Sequence, residues 1–599
     1  MDNVKEYDMV IVGAGLSGLT SAYYLKKSKP DLNILVIERS GTAGGLTGNW
    51  IDHRCGPDKK FQTPMHMAFR EKFPNLINLV NEIGGEMSPI HTGYNILTSD
   101  GKRHRLEMQD WAARNLPPPF HGLGLLLKLK LPIRAKWDFS KLVLVSAYCG
   151  REIIKGIPEP SLLPNTLSLE GLELLLRMGP KARDFMETIT PSILNSHPWY
   201  TSAIRMEAVL AGTLAMTRNS LHYHIFSKNY NAAFIDRFVE RLRAMGVEFR
   251  FWTEARRIEC DKSGKTVDSI WCKSFGPQIE GSSRYVCENC GAENYSMDRA
   301  FCTRCGLDTT LSKIRSGKIR RPVDRELWIE PQGNGYERIR CKKLITAMYP
   351  HMIAKLIPID SPLRAHPVVR AFFSLRGNQT RLSIARVYYK EQVTRGETDI
   401  TGTHNPTYSF NGCQSVYNAF GGPDLGHHQG DVIDVLSDVG IIHDAISHEI
   451  QSQRIVSDLQ RVYPDADPSL VEHVSYADIY PDVLYLSDQP AIAGLHRFFN
   501  TNRTGISNWY VAGCHSGLIG IGMESAIQGA MVTVNCILED MGLPMRIEIS
   551  PYMMHQCCRM AALLGKALLW WRGRGKAINR YAENSYSMPH KRPCVTEQN

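Results

Sequence analysis

Tyr7-Asp-Met-Val-Ile-Val12 is an almost unbroken apolar run that ends on Gly13, and Ile34-Leu-Val-Ile37 is a second that ends on Glu38. Short runs of this kind, apolar on both faces and closed by a turn residue, predict buried strands of a parallel sheet. The segment between them predicts a helix, so residues 7–38 predict a strand–turn–helix–strand unit. Near the other end, Asn508-Trp-Tyr-Val-Ala512 predicts a further strand, followed by a glycine-rich turn and a helix with small residues on one face. Pro117-Pro118-Pro119 make a stiff break before the apolar segment that starts at Phe120, and residues 162–224 read mainly as helices. The pattern predicts an α/β fold, α+β overall, built on a Rossmann-like domain. No internal repeat or long low-complexity run stands out, and the polar stretch beyond about residue 582 reads as a disordered tail.

The first turn carries specific chemistry. In Gly13-Ala14-Gly15-Leu16-Ser17-Gly18, Gly13 allows a tight turn and Gly15 lets the backbone approach a pyrophosphate. Gly18 and Ala22 let helix and strand pack closely. The helix N-terminus turns free N–H groups and a positive dipole end toward the phosphates. Glu38, 20 residues past Gly18, stands where a carboxylate accepts hydrogen bonds from an adenosine ribose. Arg39 follows, then Gly44-Gly45-Leu46, a glycine pair that lets a loop lie against the pyrophosphate; nicotinamide-binding folds usually enter a helix at this point. At the far end, Gly513-Cys514 and then Gly522-Met523-Glu524-Ser525-Ala526 start a helix whose dipole can face the isoalloxazine pyrimidine edge, which becomes negative on reduction. FAD is the expected cofactor.

Together these segments resemble the flavin amine oxidase superfamily and, within it, the phytoene (carotenoid) desaturase-like branch. The resemblance spans most of the chain and is strongest at its start. Phe234–Phe249 and then Ala255-Arg-Arg-Ile258 look like the family's central helix and the strand that contacts adenine, which places Ala255 at the cofactor. Cys341–Pro350 is similar to the strand that re-enters the flavin domain, and Leu459–Pro464 to a helix of the desaturase-type substrate domain. Cys514 departs from the family's Asp or Glu that contacts the ribityl chain, Ser525 replaces a usual glycine, and Gln528 sits where serine is common. The resemblance implies a discontinuous FAD-binding domain over 1–115, 225–275, 338–358 and 500–545. It implies a substrate domain from 116–224, helical and membrane-facing, and 359–499. The implied reaction is desaturation or dehydrogenation of a lipophilic substrate (isoprenoid, carotenoid or sterol-like) by hydride transfer to flavin N5, with quinone or oxygen as electron acceptor. Two alternatives stand beside it: a flavin amine oxidase acting on an amine, and a non-catalytic FAD-stabilised scaffold.

At 599 residues the chain can hold more than one domain, and its 43% hydrophobic and 22% charged content is ordinary for a globular core. A formal charge of +10 fits a basic face toward anionic lipid or an acidic substrate as well as scattered solvated cations, and does not by itself imply nucleic acid. The first strand starts near residue 7, which leaves no room for a secretory leader, and no uninterrupted apolar run reaches bilayer-spanning length. The fifteen cysteines show no disulfide-framework pattern. A cytoplasmic, reduced setting with peripheral membrane contact is expected.

Over 282–308 the chain reads Cys287-Glu-Asn-Cys290-Gly and then Cys302-Thr-Arg-Cys305-Gly. Two CxxC knuckles, each followed by glycine, form a zinc-ribbon signal, in which four thiolates close a tetrahedral, structural site that supplies the segment's folding energy. A ribbon also suits a protein partner. An iron site relaying electrons to the flavin is the alternative, since four thiolates alone do not specify the metal.

The 550–599 stretch predicts an amphipathic basic helix and a polar tail. Within it, residues 559–580 combine an apolar stretch, Trp570-Trp571 and a basic end, which suits an interfacial helix. A helix docked on the protein's own core fits equally. Residues 120–133 are a second apolar, basic segment, readable as a membrane-facing door or as core. No catalytic acid, base or nucleophile is fixed by the pattern. His222 and His224 sit at period-two spacing, Tyr223, Tyr408 and Tyr417 are candidate cavity aromatics, and His515 is the candidate residue beside the flavin.

Overall fold

The structure is a computed structural model that describes residues 5–47, 49–51, 60–62, 68–69, 73–90, 92–107, 111, 115–154, 163–194, 197–199, 201–210, 223–226, 230–274, 284–286, 293–295, 336–358, 360–374, 382–404, 407–415, 430–438, 448–479, 502–516, 522–550 and 556–573. The chain opens with β1 (Glu6–Val12), α1 (Leu16–Ser28) and β2 (Ile34–Ile37), the unit predicted from the pattern. Next come α2 (Pro74–Ile83), β3 (Met87–Ile90), β4 (Tyr94–Leu97) and β5 (Arg103–Leu106). A helical stretch holds α3 (Phe120–Lys128), α4 (Ile133–Ile154), α5 (Leu169–Leu175), α6 (Pro180–Leu194) and α7 (Ala203–Leu210). It is followed by β6 (Tyr223–Phe226), α8 (Asp236–Ala244), β7 (Glu248–Arg250), β8 (Thr253–Cys260), β9 (Val267–Ser274) and β10 (Tyr336–Thr346). Then come β11 (Leu382–Tyr389), β12 (Ile400–Thr403), β13 (Gly412–Ser415), β14 (Val432–Asp438), α9 (His448–Val462) and β15 (Val471–Ile479). The last elements are β16 (Trp509–Val511), α10 (Met523–Asp540) and α11 (Gln556–Gly573).

Among the described residues the first sheet runs β7-β2-β1-β10-β9-β8, with β16 also beside β10. The long β10 serves two neighbours on one side: Tyr336–Arg340 pair antiparallel with β9, and Leu344–Thr346 pair parallel with β16. Its other side runs parallel to β1, from Glu6 opposite Arg340 to Val12 opposite Thr346. β1, β2, β10 and β16 therefore point the same way and end at one edge, where Gly13, Glu38, Ala347 and Ala512 follow. That edge is where open α/β sheets bind ligands. One face of the sheet is covered by α1, α2, α8 and α10 over a core that includes Leu19, Ile34, Phe234, Phe238, Ile527 and Val534. Tyr7, Val10, Leu35, Ile258, Leu344 and Trp509 belong to the core on the other face.

The second sheet runs β15-β11-β14-β13-β12-β4-β5 and is antiparallel except where β12 meets β4, with Tyr94 opposite Ile400. This moves a boundary: β4 and β5 fall within the 1–115 stretch assigned to the FAD-binding domain, yet they complete the other sheet. Every position of β4 is buried, so its sequence shows no alternation that would tell one sheet from the other. At the far end the unit built on the first sheet runs past 545, because Ile547 and Ile549 pack on the first core and Ser550 N donates to Asn75 Oδ1 at 2.8 Å. β6 lies between β3 and Ala68–Phe69, so residues 223–226 straddle the boundary drawn at 224.

The helical stretch gathers around α4, whose Phe139 and Leu142 pack with Leu172, Phe185 and Ile204. α11 lies along α4. Cys558, Ala561, Ala562 and Leu569 are buried, and a Cβ at Gly565 would meet Leu144 O at 2.0 Å. Of the two readings of residues 559–580, a docked helix therefore describes one face of α11; the opposite face is exposed. In residues 120–133, Leu125, Leu126 and Leu129 are core while Phe120 and Leu127 are exposed. Among the described residues no helix is long and apolar enough to cross a membrane.

Candidate functional site

The turn after β1 is built as its glycines require. Gly13 has φ +104°, and a Cβ there would meet Ala347 O at 2.8 Å. Gly18 sits so close beneath the turn that a Cβ would meet Gly13 O at 1.9 Å. Gly15 differs: a Cβ would find only Gly45 Cα, at 3.8 Å. The protein itself thus leaves room for a small side chain at Gly15. It is the N-cap of α1, with no side-chain cap on the helix's first N–H groups, and no acid lies in the first turn. Those donors remain directed at the strand-end edge.

Glu38 closes the loop behind this turn. Its Oε2 accepts from Ala14 N at 2.8 Å, and its Oε1 accepts from Ser40 N at 2.8 Å and Ser40 Oγ at 2.9 Å. The half-buried carboxylate is fixed in place with lone pairs to spare. Gly44 bridges to Gly15, with Gly44 N donating to Ala14 O at 2.9 Å, and Gly45 follows with φ +59°. The glycine pair thus lies against the Gly13–Gly18 turn. Leu46 has its backbone in the short helix Gly45–Thr47. Arg39 is exposed and 3.9 Å from Glu254. Ala255, on β8, is buried in the core beneath the sheet, while Thr253, two residues earlier, donates its N–H to Glu38 O at 2.9 Å.

The second helix start stands beside the first. α10 begins at Gly522, φ +101°, also without a side-chain cap. Ser17 Oγ donates to Ala526 O at 3.0 Å, which ties the first turns of α1 and α10 together. Met523 is buried in the core they share. Gly513 lies two residues past the end of β16 and is covered by His515, whose ring would meet a Cβ there at 2.3 Å. His515 is itself buried. Cys514 is half-buried, its Sγ 3.7 Å from Tyr349 Oη, and its carbonyl accepts from Ser525 Oγ at 2.7 Å. Ser525, a departure from the family pattern, therefore ties the Cys514 turn to α10.

Some contributors have no local sequence signal. Glu524 is buried and accepts from Asn75 N, Asn75 Nδ2, Leu76 N and Gln528 Nε2. It caps the N-terminus of α2 from another helix. Burial pushes its carboxyl up to about 7, with the surrounding N–H donors pulling the other way. Trp252, with φ +53°, lies on the Glu38 loop so closely that a Cβ at Gly41 would meet the indole at 2.2 Å.

Other candidates fall elsewhere. Tyr223 is buried and His224 half-buried on β6. Tyr408 is a core residue of the second sheet, with the Arg461 guanidinium 4.1 Å from its ring centre. His222, Tyr417, Cys287, Cys290, Cys302 and Cys305 lie outside the described residues. The described strands on either side of the first knuckle, Arg284–Val286 and Glu293–Tyr295, pair antiparallel. Among the described residues no cluster of His, Cys, Asp and Glu could hold a metal ion.

Known proteins match this geometry in parts. Residues 1–55 match the Thi4 family, and residues 306–538 match the family of flavin containing amine oxidoreductases. A thiamine thiazole synthase from Fusarium vanettenii is 51% identical over 71 residues, which are 12% of this chain and 21% of that protein. The chain thus spans about a fifth of the length of the curated relatives it matches. Among solved structures, putrescine oxidase bound to putrescine has a TM-score of 0.58 at 15% identity, over 89% of this chain and 99% of that one. Cyclohexylamine oxidase from Brevibacterium oxydans has a TM-score of 0.57 at 14% identity, over 90% and 99%. These likenesses show the fold, the mixed α/β architecture of such oxidases with its Rossmann-like domain.

Proposed function

We propose that the chain is an FAD-dependent oxidoreductase that dehydrogenates or desaturates a lipophilic substrate of isoprenoid, carotenoid or sterol-like chemistry. The observation that carries the cofactor assignment is the pairing of two helix starts, α1 and α10, tied by Ser17 and Ala526 at the edge that also holds Glu38. The space that a Cβ at Gly15 would enter fits a pyrophosphate, and the fixed carboxylate of Glu38 fits a ribose. Bound FAD would supply the redox step by accepting a hydride at N5. The chain's own residues do the rest. The first turn of α1 and the Gly44-Gly45 loop hold the phosphates, and Gly513, Cys514 and the uncapped start of α10 face the flavin side and favour negative charge there. Cys514 brings a neutral thiol where the family has a carboxylate, so the ribityl chain is held with less charge.

The lipophilic assignment is supported by the desaturase-like segments of the sequence and by the apolar, cationic 120–133 stretch, with quinone or oxygen as electron acceptor. A second reading, a flavin amine oxidase acting on an amine, is favoured by the amine oxidoreductase match over 306–538 and by the two amine oxidases of like fold. A third, a non-catalytic FAD-bound scaffold, rests on Cys514. The four-cysteine segment belongs to this proposal as a structural zinc ribbon open to a protein partner, to be checked by metal analysis of the purified chain.

The discriminating experiment adds a detergent-solubilised carotenoid precursor, a sterol or putrescine to the holoprotein without oxygen and follows flavin absorbance. Bleaching by the polyene or sterol supports the proposal. Bleaching by putrescine alone selects the amine reading, and no bleaching by any of them favours the scaffold.

A further inference from the structure

α11 has two apolar faces. Cys558, Ala561, Ala562, Gly565 and Leu569 follow the helical period and form the face seated on α4. Met560, Leu563, Leu564, Trp570 and Trp571 repeat the period on the opposite side, and all are exposed, the two tryptophans at 59% and 62%. The small residues seat the helix on α4, and the large ones point away from that contact.

The two helices run antiparallel. Ala561 and Ala562 pack on Ala147 while Gly565 packs on Leu144, and Leu569 joins the cluster containing Phe139. The same register carries Trp570 and Trp571 toward the start of α4, where Ile133 (87%) and Trp137 (65%) are also exposed. Lys136 Nζ donates to Leu127 O at 2.5 Å, which fastens the end of α3 and its exposed leucine to this end of the pair. Large apolar side chains from three helices thus gather at one end of the α4–α11 pair.

The exposed charge around them has one sign; the acids of α4 are Asp138, buried against Lys141, and the mostly buried Glu152 beside Arg151. α11 carries Arg559, Lys566 and Arg572 and no acid. The stretch from Leu116 to Trp137 carries Lys128, Lys130, Arg134 and Lys136 and no acid. A second copy would bring cation against cation. A surface that accepts apolar side chains into its interior while offering negative groups above them fits both properties.

We propose that the outer side of the α4–α11 pair is a docking surface for an anionic lipid bilayer, with the leucines and tryptophans at the acyl boundary and the lysines and arginines on the headgroups. The proposal stands apart from the redox reading, because it concerns partitioning and not turnover.

The test is cosedimentation of the full-length protein with phosphatidylcholine vesicles made with or without phosphatidylserine, at low and high salt. The expected result is binding to the anionic vesicles that weakens with salt. Two double variants, Trp570→Ser with Trp571→Ser and Arg559→Glu with Lys566→Glu, should each lower that binding by about tenfold or more. Both should keep the wild-type circular dichroism, since none of these residues is on the docked face. No binding to anionic vesicles by the wild type, or equal binding by the tryptophan variant, would overturn the proposal. So would sedimentation velocity showing a dimer that the tryptophan variant splits, which would assign the face to a second copy.

Discussion

Glu524 and Asn75 are 449 residues apart in sequence and 2.7 Å apart at Oε1 and Nδ2. The same carboxylate takes Leu76 N at 2.7 Å, so the start of α10 and the start of α2 are clamped by one buried acid. Glu524→Ala would leave these buried helix N–H groups without an acceptor and should lower stability by about 2–4 kcal/mol, read from denaturant unfolding.

The same residue gives a pH dependence with a definite sign. Its folded carboxyl is raised to about 7 from an ordinary 4.5 by burial. Between those values the unfolded chain has lost the proton and the folded chain keeps it. The contribution is full below 4.5 and is lost as pH rises through 7, up to about 3 kcal/mol in all. The melting temperature should fall across this window, and Glu524→Gln, which has no proton to lose, should flatten that part of the curve.

Gly15 and Gly18 should respond differently to one added methyl. At Gly18 it meets backbone oxygen at 1.9 Å, so Gly18→Ala should destabilise the fold. At Gly15 it meets only Gly45 Cα at 3.8 Å, so Gly15→Ala should fold normally. It should nevertheless weaken FAD binding by about tenfold or more, because the methyl takes the space left for the pyrophosphate. Thermal melts of the apoprotein together with FAD titration separate the two effects.

Gly565→Val would drive a branched side chain into Leu144 O, already 2.0 Å from a bare Cβ. α11 should then detach from α4 at a cost of about 1–3 kcal/mol. The detachment should appear as rapid cleavage after Arg559 or Lys566 under limited trypsin digestion.

In the second sheet, Arg386 and Asp434 form a bidentate pair at 2.6 and 2.9 Å, both buried. Asp434→Asn would leave the guanidinium buried without its counter-charge and should cost about 3–5 kcal/mol in urea unfolding. Replacing both by Met and Leu should recover most of that loss.

What the sequence revealed follows from the range over which each signal acts. The β1–α1–β2 unit, the Gly44-Gly45 loop and the Gly522 helix start were legible because their glycines answer to local geometry. β16 was legible from its own apolar run, and β10 through the resemblance. The membership of β4 and β5 in the second sheet was not, since a strand buried at every position does not say which neighbour it joins. The Glu524 clamp was hidden because neither Glu524 nor Asn75 carries a local mark of the other. α11 was ambiguous for a different reason: both of its faces are apolar, and only the small residues at 561, 562 and 565 distinguish the docked one.

The most direct test of the central claim is the visible absorption spectrum of the purified protein, with its FAD content and that of Gly15→Ala measured alongside. The expected result is a flavin spectrum with about one FAD per chain, and a folded but largely colourless Gly15→Ala. A folded wild-type protein that is colourless and takes up no added FAD would contradict the account.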